Sequence, residues 1–405
     1  MKKKETMKIR VMTSKDTLRK EIANTLSSLN EETKKEEDLK IFEQVIHSKV
    51  FQNAKTIFSF VSTNREVDTY EIIKEAWKQG KTVCVPKCFK FGQMKAYQIH
   101  SMDDLKEGKY GILEPTSTIE INPEDLDLVL VPCCSASKDG KRLGYGGGFY
   151  DRYLAQTNAK KMVLCRKSLM REDIPMDPYD QKMDYVCNEE EIIRIYQAIL
   201  FDKDGTLFDT EKYYQKAWYT VCDEIGIECT KEVQDALYGR SGIKQVEALH
   251  QVEPDIDANY FCERLLEVAH EDMKNGIDIK PGVKETLEYF YKKGIPLAIA
   301  SGGPMAVIKE NLEQAQFTSY FSALSSGLEV ERGKPYPDIY WDVCKKLKVQ
   351  AENCLVFEDS PAGVQAAKVA GCTVIMIPET KEALKNAEEY YDEWYESFEE
   401  YLENK

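Results

Sequence analysis

Residues 198–211 read AILFDKDGTLFDTE: four apolar residues, two aspartates two positions apart, then a glycine. A short apolar run that stops at small or acidic residues is the pattern of a strand buried on both faces of a parallel sheet. Side chains i and i+2 of a strand share one side, so Asp202 and Asp204 leave the strand end as a pair. Two carboxylates that close either hold a cation or divide the labour between nucleophile and acid. Taken alone, the pair also fits a calcium-binding surface loop.

The same kind of run recurs downstream in IPLAIASGG (295–303), NCLVFEDS (353–360) and CTVIMIPE (372–379). Upstream it recurs in TIFSFVS (56–62), TVCVPK (82–87) and LDLVLVPC (126–133), after a helical periodicity over 17–46. Helices alternating with short buried strands make both halves α/β with mainly parallel sheets. A chain of 405 residues exceeds what one core organises. The polar strand-end motifs of the two halves differ, which predicts two domains, 1–195 and 196–405, with the boundary near Ile195. Between the first two strands of the second half lies a mostly helical insert, about 213–280, expected to cap a site. The acidic end NAEEYYDEWYESFEEYLENK places Ala387, Tyr391, Trp394, Phe398 and Leu402 at helical spacing, which predicts a final amphipathic helix packed on its own domain.

A net charge of −15 argues against nucleic-acid binding. No apolar run reaches the roughly 20 residues of a membrane span, and the basic start MKKKETMKIRVMTSKD lacks the apolar core of a signal peptide, so a cytoplasmic protein is expected. Twelve cysteines, with Cys84/Cys88 and Cys133/Cys134 the close pairs, show no metal-site spacing and read as reduced thiols. On so acidic a chain, an anionic substrate requires local lysines, arginines, amide clusters or metals.

One such cluster is RLGYGGGFYDR (142–152), with four glycines within five positions. A flexible linker would dilute glycine with serine and avoid large rings. Here a buried strand precedes the loop and a helix, FYDRYLAQ, follows it. Glycines there permit positive φ and close approach of backbone amides to a phosphate. The Walker pattern is absent, and a tight structural turn is the other reading of the spacing alone.

The longer segment DGKRLGYGGGFYDRYL resembles the signature of 5-formyltetrahydrofolate cyclo-ligases (5,10-methenyltetrahydrofolate synthetases). SKDTLRKEI (14–22), NREVDT (64–69), GKYGILEP (108–115) and IPMDPYDQKMD (174–184) extend the resemblance over nearly all of 8–192. It implies ATP-dependent closure of 5-formyltetrahydrofolate to 5,10-methenyltetrahydrofolate with release of ADP and phosphate. It implies ATP contacts by Lys15, Arg19, Arg142, Gly144, Tyr145, Gly146, Gly147 and Gly148. Folate contacts would come from Val61, Glu66, Tyr145 and Tyr150, and magnesium ligands from Asp151 and Asp180. Departures are Ser168 where the family often has glutamine, Tyr179 where it has histidine, and the lack of an aromatic in PCCSASKDG.

The second half resembles the haloacid dehalogenase superfamily, specifically β-phosphoglucomutase-like phosphatases with a helical cap. Its motifs after the aspartate pair are IASGG with Ser301, RGKPYPDIY with Lys334, and LVFEDSPAGVQAAKVAG with Glu358 and Asp359, and the resemblance covers about 197–402. It implies a Rossmann-like core in which Asp202 attacks phosphorus, Asp204 serves as acid and then base, and Ser301 and Lys334 hold the phosphoryl group. Magnesium would bind Asp202, the Asp204 carbonyl and Asp359, with Glu358 supporting or joining the shell. Lys203 departs from the apolar residue often found between the aspartates. Tyr214 stands where a mutase has histidine, and the cap reads LYGRSG with Arg240 directly after Gly239, so hydrolysis of a small phosphorylated metabolite is expected over isomerisation. The reading is a bifunctional enzyme using ATP and Mg2+. The alternatives are a phosphatase carrying a non-catalytic folate- or nucleotide-sensing domain, or an isomerase in the second half.

Overall fold

The computed structural model describes residues 14–108, 111–237 and 243–405, and they separate between Ile195 and Tyr196 into two compact units. The expectations for Lys109, Tyr110, Gly239 and Arg240 lie outside the described residues. Among those described, no helix is long and apolar enough to cross a membrane. All twelve cysteines are free thiols, with Cys88 exposed and Cys134 and Cys229 half-buried.

The first unit opens with helices α1 (Lys15–Ser28) and α2 (Glu31–His47), whose caps Ser14 and Asn30 accept the amides of Thr17 and Thr33, each cap worth about 1 kcal/mol. There follow α3 (Lys49–Asn53), β1 (Thr56–Phe58), α4 (Tyr70–Lys78), β2 (Thr82–Cys88) and β3 (Met94–Ile99). A hairpin of β4 (Leu105–Glu107) and β5 (Leu113–Pro115) precedes β6 (Glu120–Ile121) and β7 (Leu128–Val131). A second hairpin, β8 (Ser135–Ala136) and β9 (Arg142–Leu143), leads to α5 (Phe149–Leu154), β10 (Lys160–Leu164), β11 (Tyr185–Cys187) and β12 (Ile192–Arg194). The glycine loop therefore leaves a hairpin rather than the buried strand β7 itself.

Eight strands form one sheet in the order β12-β11-β10-β7-β1-β2-β3-β6. Its middle five are parallel, whereas β12, β3 and β6 pair antiparallel at the edges. Strand β7 shows why the centre is apolar throughout. Val129 and Val131 enter one core with Leu18 and Ile22 of α1 and Leu154 of α5. Leu128 and Leu130 enter the other with Ile41 of α2 and Ile72 of α4.

The second unit runs β13 (Ala198–Phe201), cap helices α6 (Glu211–Ile225), α7 (Lys231–Leu237), α8 (Ile243–Val252) and α9 (Ala258–Met273), then α10 (Val283–Lys292) and β14 (Leu297–Ser301). It continues with α11 (Met305–Gln314), β15 (Phe321–Ser326), α12 (Asp338–Leu347), β16 (Cys354–Glu358), α13 (Pro361–Ala370) and β17 (Thr373–Met376). With a last strand β18 (Glu393–Trp394), the sheet order is β15-β14-β13-β16-β17-β18, parallel at every pairing. Ile199 and Phe201 of β13 pack into one face, and Ala198 and Leu200 into the other. The cap helices have a core of their own around Trp218, Phe261 and Leu265.

The acidic end is not one helix. It comprises α14 (Lys381–Asn386), the edge strand β18 (Glu393–Trp394) and α15 (Phe398–Glu403). The Asp392 amide donates to Val374 O, the Asp392 carboxylate accepts the Val374 amide and pairs with Lys368, and the Tyr395 amide donates to Met376 O. The open edge of β17 thus offers backbone and side-chain partners that an isolated helix at the same residues lacks. Trp394 consequently stays 44% exposed, while Phe398 and Tyr401 reach the core.

Candidate active sites

Helix α1 carries Lys15 and Arg19 one turn apart. Arg19 Nε donates to Gly144 O at 2.8 Å, and Lys15 Nζ pairs with Asp177 and Asp180 at 2.7 and 2.5 Å. These groups line a cavity of about 840 Å3 in the first unit. Arg142, Gly144, Tyr145, Gly146, Gly147, Gly148, Val61, Glu66, Tyr150, Asp151 and Asp180 line it too, so the residues singled out in this half converge on one place. Ser168 is exposed in a turn over Lys167–Leu169, and Tyr179 is 86% exposed; neither lines the cavity.

The loop takes a backbone geometry that favours glycine. Gly146 and Gly148 have φ of 98° and 64°, conformations that strain residues bearing a Cβ. Among the described residues, the amides of 145–148 have no acceptor. The Gly147 and Gly148 carbonyls both accept Arg152 Nη1 at 3.1 Å. Arg152 thus fastens the loop from behind, a role the glycine spacing gave no sign of.

Arg142 is buried. It donates from Nη2 to Asp151 Oδ1 at 2.8 Å and from Nη1 to Pro132 O at 3.2 Å, while its Nε has no partner among the described residues. Tyr150 Oη is likewise buried without a partner, and burial together with the Glu66 charge pushes its phenol well above the ordinary range. Tyr145 is half-exposed, its hydroxyl donating to Cys133 O at 3.3 Å. Glu66 Oε2 accepts both the amide and the hydroxyl of Thr63 at 2.9 Å, and burial raises its carboxyl despite those bonds. Two unpartnered polar groups and a desolvated carboxylate in one cavity are what a polar ligand would satisfy. Phe60, Phe89, Met94 and Ile112 add apolar wall. Burial works against the Asp180 charge, yet the Asp177 amide and the Lys15 ammonium hold its carboxyl below the usual range. Arg142 and the Gln181 amide occupy Oδ1 of Asp151, and Lys15 and the Asp177 amide occupy Oδ2 of Asp180; the other oxygen of each, without a partner among the described residues, is the kind of donor a magnesium ion takes beside phosphate oxygens and water.

In the second unit, the order β14-β13-β16 places Ser301, Asp202 and Glu358 at neighbouring carboxyl ends of parallel strands, where sites of open α/β sheets form. Lys334 bridges Asp202 Oδ1 and Glu358 Oε1. Asp204 Oδ2 accepts the Ser301 hydroxyl at 3.2 Å, and its Oδ1 pairs with Lys203 at 2.5 Å. Asp359 Oδ1 accepts the Thr206 hydroxyl at 2.6 Å. Gly205 lies beside it with φ of 77°, and a Cβ there would stand 2.3 Å from Asp359 Oδ2, so a larger residue would be strained and would displace that carboxylate.

Glu358 is fully enclosed. Besides Lys334, its Oε1 accepts Tyr340 Oη at 3.1 Å, and its Oε2 accepts the Asp359 amide at 2.9 Å and the Ser360 amide and hydroxyl at 3.0 Å. It therefore orients Lys334 and the loop after β16, and its oxygens are taken. Burial pushes the Asp202 carboxyl up to about 7; Lys334 opposes the rise, and Glu358 and Asp204 add to it. Burial, with Glu358 and Asp202, likewise lifts Asp359 well above the carboxylate range. Among the described residues no three donors already converge on one point. The chemistry nevertheless fits a divalent cation: oxygen donors only, a glycine cradle, and carboxylates whose mutual repulsion such a charge relieves.

Residues 11–189 match the family model of the 5-formyltetrahydrofolate cyclo-ligase family, and residues 199–377 that of haloacid dehalogenase-like hydrolases. The 5-formyltetrahydrofolate cyclo-ligase of Mus musculus is 31% identical over 196 residues, 45% of this chain and 97% of that protein. A phosphorylated carbohydrates phosphatase of Thermotoga maritima is 34% identical over 179 residues, 43% of this chain and 82% of that protein. The chain belongs to both families, one in each half. A solved 5,10-methenyltetrahydrofolate synthetase of Aquifex aeolicus is 29% identical and covers 45% of this chain and 92% of its own, with a TM-score of 0.42.

Within the haloacid dehalogenase-like half, sequence reasoning passed over Asn311, Thr206, Tyr340 and Glu211. Asn311 is buried on α11, and its Oδ1 accepts Lys203 Nζ at 2.9 Å. Tyr340 lies inside the quoted RGKPYPDIY stretch, and its position one turn into α12 was the available signal. Burial pushes the Glu211 carboxyl up to about 7, with the Glu379 charge adding to it. Burial and the charges of Asp204, Glu211 and Asp202 raise the Tyr214 phenol. In the cyclo-ligase half, the walls Phe89 and Met94 and the loop anchor Arg152 carry no local signature.

Proposed function

We propose that the chain is a bifunctional enzyme: an ATP-dependent 5-formyltetrahydrofolate cyclo-ligase joined to a magnesium-dependent phosphatase acting on a small phosphorylated sugar or polyol. The observation that carries this is completeness. Among the described residues, each half gathers its own charged groups at one place.

In the first half the task is to make the formyl oxygen a leaving group. The oxygen attacks the γ-phosphorus of ATP and ADP departs; N10 then attacks the activated carbon, and phosphate leaves. Lys15, Arg19, Arg142 and the free amides of 145–148 offset the phosphate charge as it shifts. Glu66 accepts a pterin N–H, and Tyr150 donates its unpartnered hydroxyl. Val61 and the apolar walls exclude water from the activated carbon. Asp151 and Asp180 would hold the magnesium that accompanies ATP.

In the second half Asp202 attacks phosphorus and forms an aspartyl phosphate, while Asp204 protonates the leaving oxygen and then takes a proton from water. Ser301 donates to a phosphoryl oxygen. Lys334, held by Glu358, neutralises charge on both nucleophile and phosphoryl group. Asp202, the Asp204 carbonyl and Asp359 would hold a magnesium ion, which would supply positive charge and favour the ionised form of Asp202. Tyr214 in the mutase histidine's place supports hydrolysis. The relative named for phosphorylated carbohydrates supports the substrate class.

Two assays on the full-length protein test this. With 5-formyltetrahydrofolate, ATP and Mg2+, the methenyl product should accumulate with one ADP per turnover. With a panel of sugar and polyol phosphates, phosphate should be released only when magnesium is present. A protein that binds folate without ATP turnover would return the first half to a sensing role, and interconversion of phosphate positions without phosphate release would make the second half an isomerase.

A further inference from the structure

The residue between the two aspartates is a lysine with only 1% of its surface exposed. Burying an ammonium group is costly unless it is paired and hydrogen-bonded. Lys203 Nζ lies 2.5 Å from Asp204 Oδ1 and 2.9 Å from Asn311 Oδ1, and Asn311 is itself buried. The two oxygens of Asp204 are thereby distinguished, since Oδ1 is held by Lys203 and Oδ2 faces Ser301 Oγ at 3.2 Å. An apolar side chain at position 203 would leave that carboxylate free to turn about its terminal bond.

We infer that Lys203, braced by Asn311 on α11, is a positioning residue that locks the Asp204 carboxylate so that Oδ2 is the atom that exchanges protons with the leaving group and water. The inference rests on the phosphatase reading and extends it to a residue outside the reacting set. Proton transfer depends steeply on where the exchanging oxygen points. Lys203 acts only through Asp204, so its loss should be felt where Asp204's proton is needed and not where it is dispensable. An alkyl phosphate leaves as an alkoxide and needs the proton; p-nitrophenyl phosphate leaves as a stable phenolate and does not.

The test is rapid-quench measurement of phosphoenzyme formation in full-length Lys203→Met, which keeps an unbranched side chain of similar volume and removes its charge. The rate with glycerol 3-phosphate should fall at least tenfold, and that with p-nitrophenyl phosphate less than threefold. Placed on Asp204→Asn, the same change should cost nothing further. Equal losses with both esters, a further loss on the Asp204→Asn background, or no loss at all would overturn the inference, because a purely structural lysine ignores the leaving group. If Lys203→Met does not fold, Asn311→Ala, which keeps the ion pair and loosens its brace, must give the same leaving-group-dependent loss at smaller size; a parallel loss or none overturns the inference. A wild-type protein inactive on every ester with magnesium would instead sink the phosphatase reading, and this inference with it.

Discussion

The Lys334 ammonium lies 2.5 Å from Oε1 of Glu358, a carboxylate with 0% exposure. Burial alone would strip the proton from such a lysine; the charges of Asp202 and Glu358 hold it charged instead. Lys334 is thus anchored by one carboxylate so that it can serve another.

Removing one partner of a buried ion pair costs about 3–5 kcal/mol. Glu358→Gln should therefore lower the melting temperature of the second half and reduce phosphatase kcat at least tenfold, while cyclo-ligase turnover persists. Differential scanning calorimetry and parallel assays of the two activities check this. An unchanged melt would mean that Glu358 does not anchor Lys334.

Asp202 and Asp204 are chemically identical and differ only in partners, so their amide variants should differ in kind. Asp202→Asn should form no phosphoenzyme from any ester. Asp204→Asn should lose a factor of about 10² to 10⁴ on alkyl phosphates, yet still be phosphorylated by p-nitrophenyl phosphate and then hydrolyse slowly. Normal hydrolysis by Asp202→Asn would rule out the covalent route.

The pH dependence has a definite sign. Asp202 and Glu211 titrate near 7 in the folded protein without metal, against about 4 in the unfolded chain. Their folded pKa values are raised, so the stability they contribute is fully present below about 4 and is lost as pH rises through about 7. With a chelator, the second half should melt at a lower temperature at pH 8 than at pH 5, and added Mg2+ should recover more at pH 8. Thermal melts at the two pH values, with and without Mg2+, decide it; a metal-free melting temperature that rises from pH 5 to pH 8 would contradict the reading.

Glu66 gives one oxygen to the amide and hydroxyl of Thr63, and the other has no partner among the described residues. Glu66→Gln should raise KM for 5-formyltetrahydrofolate roughly tenfold or more, the cost of weakening one charge-assisted hydrogen bond being about 1.5–3 kcal/mol. KM for ATP and the phosphatase should be unaffected. Folate kinetics equal to wild type would return Glu66 to an ordinary strand-end residue.

Motifs confined to one strand end and the turn after it were legible without a structure. Asp202, Asp204, Ser301, Asp359 and the glycine loop over 144–148 each sit where an apolar run or a hairpin stops, and the backbone geometry of those points is set locally by period-2 alternation and glycine conformations. What joins distant segments was not legible. Local spacing cannot say that Lys203 finds Asn311 across more than a hundred residues, that Glu358 spends its oxygens on Lys334, Tyr340 and Ser360 instead of leaving them open, or that Phe89 and Met94 wall the cavity. The acidic end makes the point in the other direction. Its residues have helical spacing, yet the unpaired edge of β17 takes Glu393–Trp394 as a strand, because a sheet edge supplies hydrogen-bond partners that no pattern within the segment encodes.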